Sequence, residues 1–179
     1  MPIELLVIHY ISLPAGKFSG PAVVDLFMNR LDPASHPSFM SLQGLRVSAH
    51  FFIRRNGQLI QLVGCDQRAW HAGRSEFKAR TACNDFSIGV ELEGDGEHPF
   101  TARQYARLLA LMQSLLQRYP SLQHVRGHSD IAPGRKQDPG PFFDWRKLGE
   151  AALCLSRDLK GNLFLSSRLA AIGRSALER

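Results

Sequence analysis

The stretch LLVIH, Leu5–His9, decides how the fold of this chain is interpreted. It is a short apolar run, β-branched in part, and such runs are typical of strands that are buried on both faces of a sheet. Two more runs of this kind follow: FSIGVELEG, from Phe86 to about Leu92, and HVRGH, which ends at His128. Two of these three predicted strands therefore end in a histidine.

Helices are predicted between and after these strands. Pro is favoured in the first turn of a helix, so Pro21 predicts one from Ala22 to about Leu31. Thr101 and Gln104 match a capping box, and leucines at helical spacing follow them as far as Pro120. Two C-terminal helices are also predicted, over about 144–159 and 164–177.

A hairpin and the order of the elements predict the fold class. Asn56-Gly57 lies between the strand-like runs SAHFFIRR and QLIQLV, which is the strongest short-range hairpin signal. The connection over residues 65–85 is predicted to be irregular, and loops of that length are usually functional or disordered. Strands that alternate with helices, together with one hairpin, predict a single-domain α/β fold with a central mixed β-sheet and helices packed on its faces.

Composition narrows the function classes. The 179 residues are 44% hydrophobic and 21% charged, which is typical of a globular domain. No apolar run reaches the roughly 18 residues that a membrane helix needs. The apolar opening contains Glu4 and His9 and has no basic flank, unlike a signal peptide. We therefore expect a cytoplasmic protein without a membrane partner, and the sequence implies no obligate protein partner.

The positive charge is concentrated near the C-terminus. Formal net charge is +6, and residues 151–179 carry five basic side chains against two acidic ones. No basic run is interleaved with aromatic residues, so we do not expect a nucleic-acid partner. We divide the chain into a domain over residues 1–150 and a C-terminal helical extension over residues 151–179, whose role stays open.

Cysteines predict neither a disulfide framework nor a thiolate metal site. The chain has three, Cys65, Cys83 and Cys154, without a C-x-x-C pair. We expect buried or half-buried free thiols.

The loop GHSDIAPGRKQDPGP, Gly127–Pro141, is too polar for a core and too rich in proline for a helix or strand. Strand ends and the loops after them are where α/β proteins tend to build sites. If the strands ending at His9 and His128 are neighbours, both imidazoles and Asp138 could converge. Two histidines and a carboxylate, with water in fourth position, form the ligand set of a catalytic zinc site. The spacing alone leaves the alternative open that these histidines are structural.

Several motifs together resemble one family. GHSDIAPGRKQDPGPFFDW, LLVIHYISLPAGKFSGP, GLRVSAHFFIRRNGQLIQLV, RAWHAG and CNDFSIGVELEG are similar to the AmpD-type N-acetylmuramoyl-L-alanine amidases, which belong to a zinc amidase superfamily that includes the peptidoglycan recognition proteins. The resemblance runs from about Leu5 to about Leu148 in the family's order. It implies cleavage of the amide between N-acetylmuramic acid and L-alanine in muropeptides. In the AmpD branch the substrate is the 1,6-anhydro form, recycled in the cytosol from the cell wall, and this pool affects β-lactamase induction.

The resemblance also implies roles for particular residues. His9, His128 and Asp138 match the ligands of a single zinc ion. Glu91 matches the acidic catalytic residue, and Lys136 matches the catalytic lysine two positions before the ligand Asp. Taken alone, Lys136 would be interpreted as a solvated loop charge, and only its place between two implied ligands, His128 and Asp138, favours the catalytic role.

Other polar residues near these motifs carry weaker expectations. Glu93 faces the same side of the strand as Glu91, so we expect one to be functional and the other solvated. Substrate contacts are expected from Tyr10, Arg46, Trp70, His71 and Arg135. The alternative is packing of the long loop for Trp70 and His71, and surface solvation for the two arginines. Tyr10 stands where the AmpD branch usually has Asn, and Ser129 where it usually has Cys. We expect His50 to be structural.

Two other functions remain as alternatives. A recognition-type relative could bind muropeptide without cutting it, and loss of a ligand or of the catalytic pair would indicate that. All five implied residues are present, which favours the enzyme. A zinc hydrolase that acts on a different amide is the third hypothesis.

Overall fold

The computed structural model describes residues 1–149, and five of their strands form one sheet. These are β1 (Leu5–Ile11), β2 (Phe51–Ile53), β3 (Leu59–Gln61), β6 (Ser87–Glu93) and β7 (His124–Gly127). Their order is β3-β2-β6-β1-β7. β1 is parallel to β6 and β7, β2 is parallel to β6, and only β3 is antiparallel to its neighbour. The predicted mixed sheet of a single α/β domain is confirmed.

The centre of the sheet is buried on both faces, as the apolar runs predict. Leu5, Leu6, Val7 and Ile8 of β1 all have zero exposure. Leu6 and Ile8 pack into the cluster that contains the long helix, whereas Leu5 and Val7 pack on the opposite face with Phe86. Burial of alternate residues on two covered faces explains why this strand has no polar position before His9.

The hairpin lies where the Asn-Gly pair predicts it. β2 and β3 pair in antiparallel register from Phe51↔Gln61 to Ile53↔Leu59. Gly57 adopts φ 85°, a left-handed conformation that glycine accepts at little cost. The Asn56 side chain accepts a 2.9 Å hydrogen bond from the backbone N–H of Gln58.

Helix α2 (Ala102–Arg118) begins with the predicted capping box. The Thr101 hydroxyl accepts from the Gln104 backbone N–H, and the Gln104 side chain accepts from the Thr101 N–H. Helix α1 (Ala22–Phe27) is shorter than predicted. It ends early because Asn29 lies at φ 56°, and the Arg30 N–H turns back to the Asp25 carbonyl.

The connecting segments hold more short elements than the sequence predicts. The connection over residues 65–85 contains the hairpin β4 (Glu76–Phe77) and β5 (Arg80–Thr81) and a 3-10 turn, Cys83–Asp85. Two other 3-10 turns, Pro33–Ser35 and Pro37–Leu42, follow α1.

The structure tests only the first residues of the helices that the sequence predicts near the C-terminus. After β7 comes a single helical turn, α3 (His128–Ile131), and residues 145–149 are helical. The rest of the helix predicted over 144–159, the helix over 164–177 and the extension over 151–179 lie outside the described residues. Among residues 1–149, no helix is long and apolar enough to cross a membrane. Cys65 and Cys83 are free, as predicted, and Cys154 is also outside this range.

Candidate metal centre and active site

Three side chains from separate parts of the chain meet at the carboxyl end of the sheet. His9 Nδ1 lies 2.9 Å from Asp138 Oδ2 and 3.0 Å from His128 Nδ1. His128 Nδ1 lies 3.0 Å from the same Asp138 oxygen. His9 and His128 are 1% and 3% exposed. The sequence-predicted ligand set is thus brought together, with one donor atom of each residue facing the other two.

Adjacent strands and a folded-back loop produce this convergence. His9 lies near the end of β1, and His128 directly follows β7, the neighbour of β1. The backbone N–H of Ser129 donates to the Asp138 carbonyl at 2.9 Å, which returns the loop to the strand it left. Pro139 packs so closely on Gly127 that a Cβ at position 127 would lie 2.6 Å from the proline Cδ. Glycine before His128 therefore allows Asp138 to reach the histidines.

The outer nitrogen of each histidine ring is bound by the protein. His128 Nε2 donates to the carbonyl of Ala72 at 3.0 Å, and His9 Nε2 lies 2.9 Å from Nδ1 of His71. His71 and Ala72 are consecutive, and their backbone N–H groups both donate to Oδ1 of buried Asn84. Outer contacts of this kind orient metal-ligating histidines and set their tautomers.

The donor set fits zinc. Two imidazole nitrogens and a carboxylate oxygen are ligands of catalytic zinc sites, which keep a fourth position open. A tetrahedral ion with bonds of about 2.0 Å holds its ligands about 3.3 Å apart. The donor atoms, 2.9 to 3.0 Å apart, would need to separate by only a few tenths of an ångström.

Glu91 lies beside this cluster without a partner for one of its oxygens. It is 7% exposed, and within residues 1–149 no group hydrogen-bonds its Oε2. Burial raises the pKa of this carboxyl well above its usual range; Asp138 adds to the rise and Lys136 opposes it. A buried carboxylate without a partner costs free energy, so its presence next to a metal-type cluster indicates a chemical role.

Glu93, the other acid of β6, is not solvated, and that expectation was wrong. It is 2% exposed and accepts hydrogen bonds from the backbone N–H groups of Ser19 and Arg55, at 2.6 and 2.9 Å. The Arg54 guanidinium lies 3.6 Å away. Glu93 therefore ties the loop after β1 to the hairpin, a structural role that period-two alternation does not reveal.

A cavity of about 410 Å³ opens onto the cluster. Its floor is formed by His9, His128, Asp138 and Glu91, and Lys136 lines it as well. Its apolar wall comes from the loop after β1, from α1 and from the segments after α1, and includes Leu13, Leu26, Phe27, Leu42, Leu45 and Val47. A polar floor with one apolar wall suits a substrate with both a polar reacting group and apolar surface.

Comparison with known proteins agrees with this geometry. Residues 1–141 match the family described as N-acetylmuramoyl-L-alanine amidase. The chain is 51% identical to the 1,6-anhydro-N-acetylmuramyl-L-alanine amidase AmpD of Enterobacter cloacae over 155 residues, which is 86% of this chain and 82% of that protein. This chain belongs to the N-acetylmuramoyl-L-alanine amidase family.

Solved structures of amidases have the same fold. A crystal structure of a selenomethionine AmpD derivative matches with a TM-score of 0.83 and 49% identity, over 84% of this chain and 85% of that one. AmiD from E. coli, in complex with the substrate anhydro-N-acetylmuramic acid-L-Ala-D-gamma-Glu-L-Lys, matches with a TM-score of 0.60 and 31% identity, over 84% of this chain and 57% of that one.

The residues predicted to contact substrate in this amidase differ in their position relative to the cavity. Trp70 lines the cavity, is 55% exposed, and is stacked by Arg68, whose Cζ lies 3.8 Å from a ring centroid. Arg46 is exposed but does not line this cavity; it lines a neighbouring depression of about 180 Å³. The two share Leu26, Leu42 and Leu45 on their walls.

Arg135 and His71 line the amidase cavity but are engaged by the protein. Arg135 Nη2 donates to the carbonyls of Ala72 and Arg74 at 2.6 and 2.7 Å, and its Nε also donates to Arg74. His71 lies behind His9, with its nitrogens 2.9 Å from His9 and 3.2 Å from Ser87. These contacts place both residues to support the histidine cluster, which differs from the substrate contacts expected from sequence.

Tyr10 borders the amidase site and packs two loops together. A Cβ on Gly96 would lie 2.5 Å from its hydroxyl, and one on Gly140 would lie 3.5 Å from its ring. Burial raises the pKa of Tyr10, and Asp138 adds to the rise.

His50 is structural, as expected: its Nδ1 accepts from the Gly89 N–H and its Nε2 donates to the Gln67 carbonyl.

Sequence analysis missed the groups behind the cluster, namely Ala72, Asn84 and Ser87. A carbonyl acceptor such as that of Ala72 has no sequence signal, because every residue has one. Asn84 and Ser87 flank the apolar start of β6, where a small polar side chain is also compatible with a turn.

Proposed function

We propose that this amidase hydrolyses the amide between N-acetylmuramic acid, in its 1,6-anhydro form, and L-alanine in muropeptides, with one zinc ion held by His9, His128 and Asp138. The observation that carries the proposal is the convergence of three donor atoms beside the buried carboxylate of Glu91, whose Oε2 has no hydrogen-bond partner among residues 1–149. A structural metal site does not need such a neighbour, whereas amide hydrolysis needs a base that later serves as an acid.

The substrate is proposed from the relatives. The Enterobacter cloacae protein is named for the 1,6-anhydro sugar, and the AmiD complex contains an anhydro-N-acetylmuramyl tripeptide. The apolar wall of the cavity offers a surface for the anhydro sugar, which has fewer hydroxyl groups than an open muramic acid. Trp70 provides an exposed ring at the rim for stacking on a sugar.

A zinc ion held by His9, His128 and Asp138 would supply Lewis acidity, which would polarise the amide carbonyl and make water a better nucleophile at neutral pH. Glu91 accepts the proton of the attacking water and then donates it to the alanine nitrogen, so that an amine leaves instead of an amide anion. In the described part of the chain no group hydrogen-bonds Oε2, which supports its availability for the transfer.

Lys136 stabilises the negative charge that develops on the carbonyl oxygen. It lines the cavity, and its charge acts on Glu91 and on His9. Its backbone N–H donates to the Ala132 carbonyl at 3.1 Å, which fixes the loop that carries the side chain. A positive charge that is already in place lowers the activation free energy most when the negative charge it stabilises develops only in the transition state.

The alternative of a non-catalytic muropeptide-binding module is disfavoured by the retained catalytic groups. A module that only binds substrate gains nothing from a buried, costly carboxylate at the floor of its cavity. A zinc hydrolase for a different amide is separated from the proposal by substrate profiling.

We also propose that the protein acts in the cytoplasm, in recycling of cell-wall fragments, and through the anhydromuropeptide pool on β-lactamase induction. The support is the family resemblance and the anhydro substrate in the names of relatives. Loss of the gene is then expected to raise intracellular anhydromuropeptides, as measured by mass spectrometry of cell extracts.

The direct test is incubation of purified protein with anhydro-N-acetylmuramyl-tripeptide, followed by mass spectrometry of free peptide. Release that stops with a zinc chelator and returns with added zinc is expected. No release by folded, zinc-loaded protein, with the substrate still bound, would replace the proposal with the binding module.

A further inference from the structure

We propose that His71 and Ser87 are positioning residues that fix the tautomer of His9, so that His9 presents a lone pair on Nδ1 to the metal. This inference rests on the proposed zinc site and names the groups that prepare one of its ligands. It assigns to His71 a role in orienting His9, whose outer nitrogen Nε2 it contacts.

The Ser87 hydroxyl sets the direction of a chain of hydrogen bonds. Ser87 Oγ lies 2.6 Å from the carbonyl oxygen of Cys83 and 3.2 Å from Nε2 of His71. A carbonyl has no proton, so the single hydroxyl proton is donated to Cys83. Ser87 Oγ can then only accept from His71, and the His71 ring therefore carries its proton on Nε2.

The proton position on His71 determines in turn which group donates in the hydrogen bond between His71 and His9. Burial favours the neutral form of an imidazole, and a neutral ring protonated on Nε2 has a lone pair on Nδ1. That Nδ1 lies 2.9 Å from Nε2 of His9, so His9 Nε2 is the donor of this contact. A neutral His9 then has its lone pair on Nδ1, the atom that faces His128 and Asp138.

The His71 ring cannot turn away from His9. Its backbone N–H is held by Asn84 Oδ1 at 3.1 Å. On the strand beneath, a Cβ on Gly89 would lie 2.4 Å from the His71 Cγ, so the ring occupies the space that glycine leaves. His50 packs edge-on at 5.8 Å between ring centroids and is itself held at both nitrogens.

The tautomer of the other proposed ligand histidine, His128, depends on a backbone acceptor. His128 Nε2 lies 3.0 Å from the Ala72 carbonyl, which can only accept, and 3.4 Å from Arg135 Nη2, which can only donate; the shorter contact assigns the proton to Nε2. His9 instead depends on two side chains, and its tautomer is therefore sensitive to substitution at positions 71 and 87.

The test compares His71→Leu with His71→Asn, two side chains of similar size. Asn places an oxygen acceptor close to the position of Nδ1, whereas Leu has none. Zinc affinity is measured by competition with a chelator, and imidazole protonation by nitrogen-15 NMR, with and without zinc. We expect His71 protonated on Nε2 in the wild type, about 10- to 100-fold weaker zinc binding in His71→Leu, and recovery of most of that loss in His71→Asn.

Two results would overturn the inference: a His71 ring protonated on Nδ1, or wild-type zinc affinity in His71→Leu. If His71→Leu does not fold, Ser87→Ala takes its place, with weaker zinc binding expected and unchanged affinity contradicting the inference. Failure of the wild type to bind zinc would instead refute the proposed function, while the NMR of metal-free protein still reports the His71 tautomer.

Discussion

His9 and Glu91 are direct partners in the parallel register of β1 and β6. A proposed zinc ligand and the proposed acid–base residue are therefore placed by two adjacent strands, at positions that are buried on both. Sites built on central strands are held more precisely than sites on loops. Asp138 and Lys136 arrive on a loop, but hydrogen bonds from Ser129 to Asp138 and from Lys136 to Ala132 hold that loop at both sides.

Substitution of Glu91 by Gln is expected to remove activity without removing zinc. General acid–base catalysis contributes about 10²–10⁴-fold, so kcat should fall by at least about 100-fold while zinc affinity stays within a fewfold. The melting temperature should rise, because a neutral amide costs less to bury than an unpartnered carboxylate.

Glu93→Gln is the matched control for that experiment, since it makes the same change on the same strand. Glu93 accepts two backbone hydrogen bonds and faces Arg54, so its substitution should lower the melting temperature and spare the chemical step. Wild-type kcat in Glu91→Gln would refute the assigned role.

The contribution of the buried histidines to the stability of the metal-free protein is expected to rise with pH between about 4 and about 6.5. Burial, with the charges of Lys78 and Arg126, lowers the pKa of His124 to about 4, and burial chiefly lowers that of His9 to about 4 as well. As pH falls below about 6.5, the unfolded chain binds protons before the folded chain does, which favours unfolding. The stabilisation is complete above that pH and lost near 4.

His124→Gln tests this pH dependence away from the metal cluster. Urea unfolding with chelator present, at pH 7.5, 5.5 and 4.5, should give a shallower loss of unfolding free energy in the variant than in the wild type. Part of the slope should remain, because His9, His50 and His71 also have lowered pKa values. Parallel curves for the two proteins would show that His124 does not contribute.

Asn84 is expected to support two contacts at once: that of His71 with His9 and that of the Ala72 carbonyl with His128. Asn84→Ala leaves the backbone N–H groups of His71 and Ala72 without their buried acceptor, at about 1–3 kcal/mol each. Unfolding free energy should fall by about 2–6 kcal/mol, and zinc affinity should fall with it. Asn84→Asp keeps an acceptor and should retain more of both; equal losses in the two variants would contradict this assignment.

The two arginines proposed from sequence should behave differently. Arg46 is exposed, and no ion pair involving it occurs among residues 1–149, so Arg46→Ala should raise KM for the tripeptide substrate and leave zinc affinity unchanged. Arg135 holds the Ala72 and Arg74 carbonyls, so Arg135→Ala should weaken zinc binding and stability. Steady-state kinetics and chelator competition on both variants check this, and the reverse pattern would contradict it.

Local sequence patterns correctly predicted the central strand, the hairpin and the start of the long helix. The apolar run before His9, the Asn-Gly pair and the Thr101–Gln104 box each depend on neighbouring residues, and the structure confirms all three. The length of α1 was not predicted: the helix ends where Asn29 adopts a left-handed conformation, and the three residues after Asn29 include no proline to signal that end.

The site was predictable only where a motif fixes a position. His9, His128 and Asp138 converge as the motifs imply. Glu93 could not be assigned, since its partners lie in two distant loops. The placement of His71 behind His9 depends on a side-chain contact across 62 positions, which no local spacing signals.

The central claim is tested most directly by titrating metal-free protein with zinc while peptide release from anhydro-N-acetylmuramyl-tripeptide is followed. Release should be absent without zinc and rise in proportion to added zinc until one equivalent per chain, after which it should stay constant. Release by the metal-free protein, or a plateau at a different stoichiometry, would contradict a single zinc at His9, His128 and Asp138.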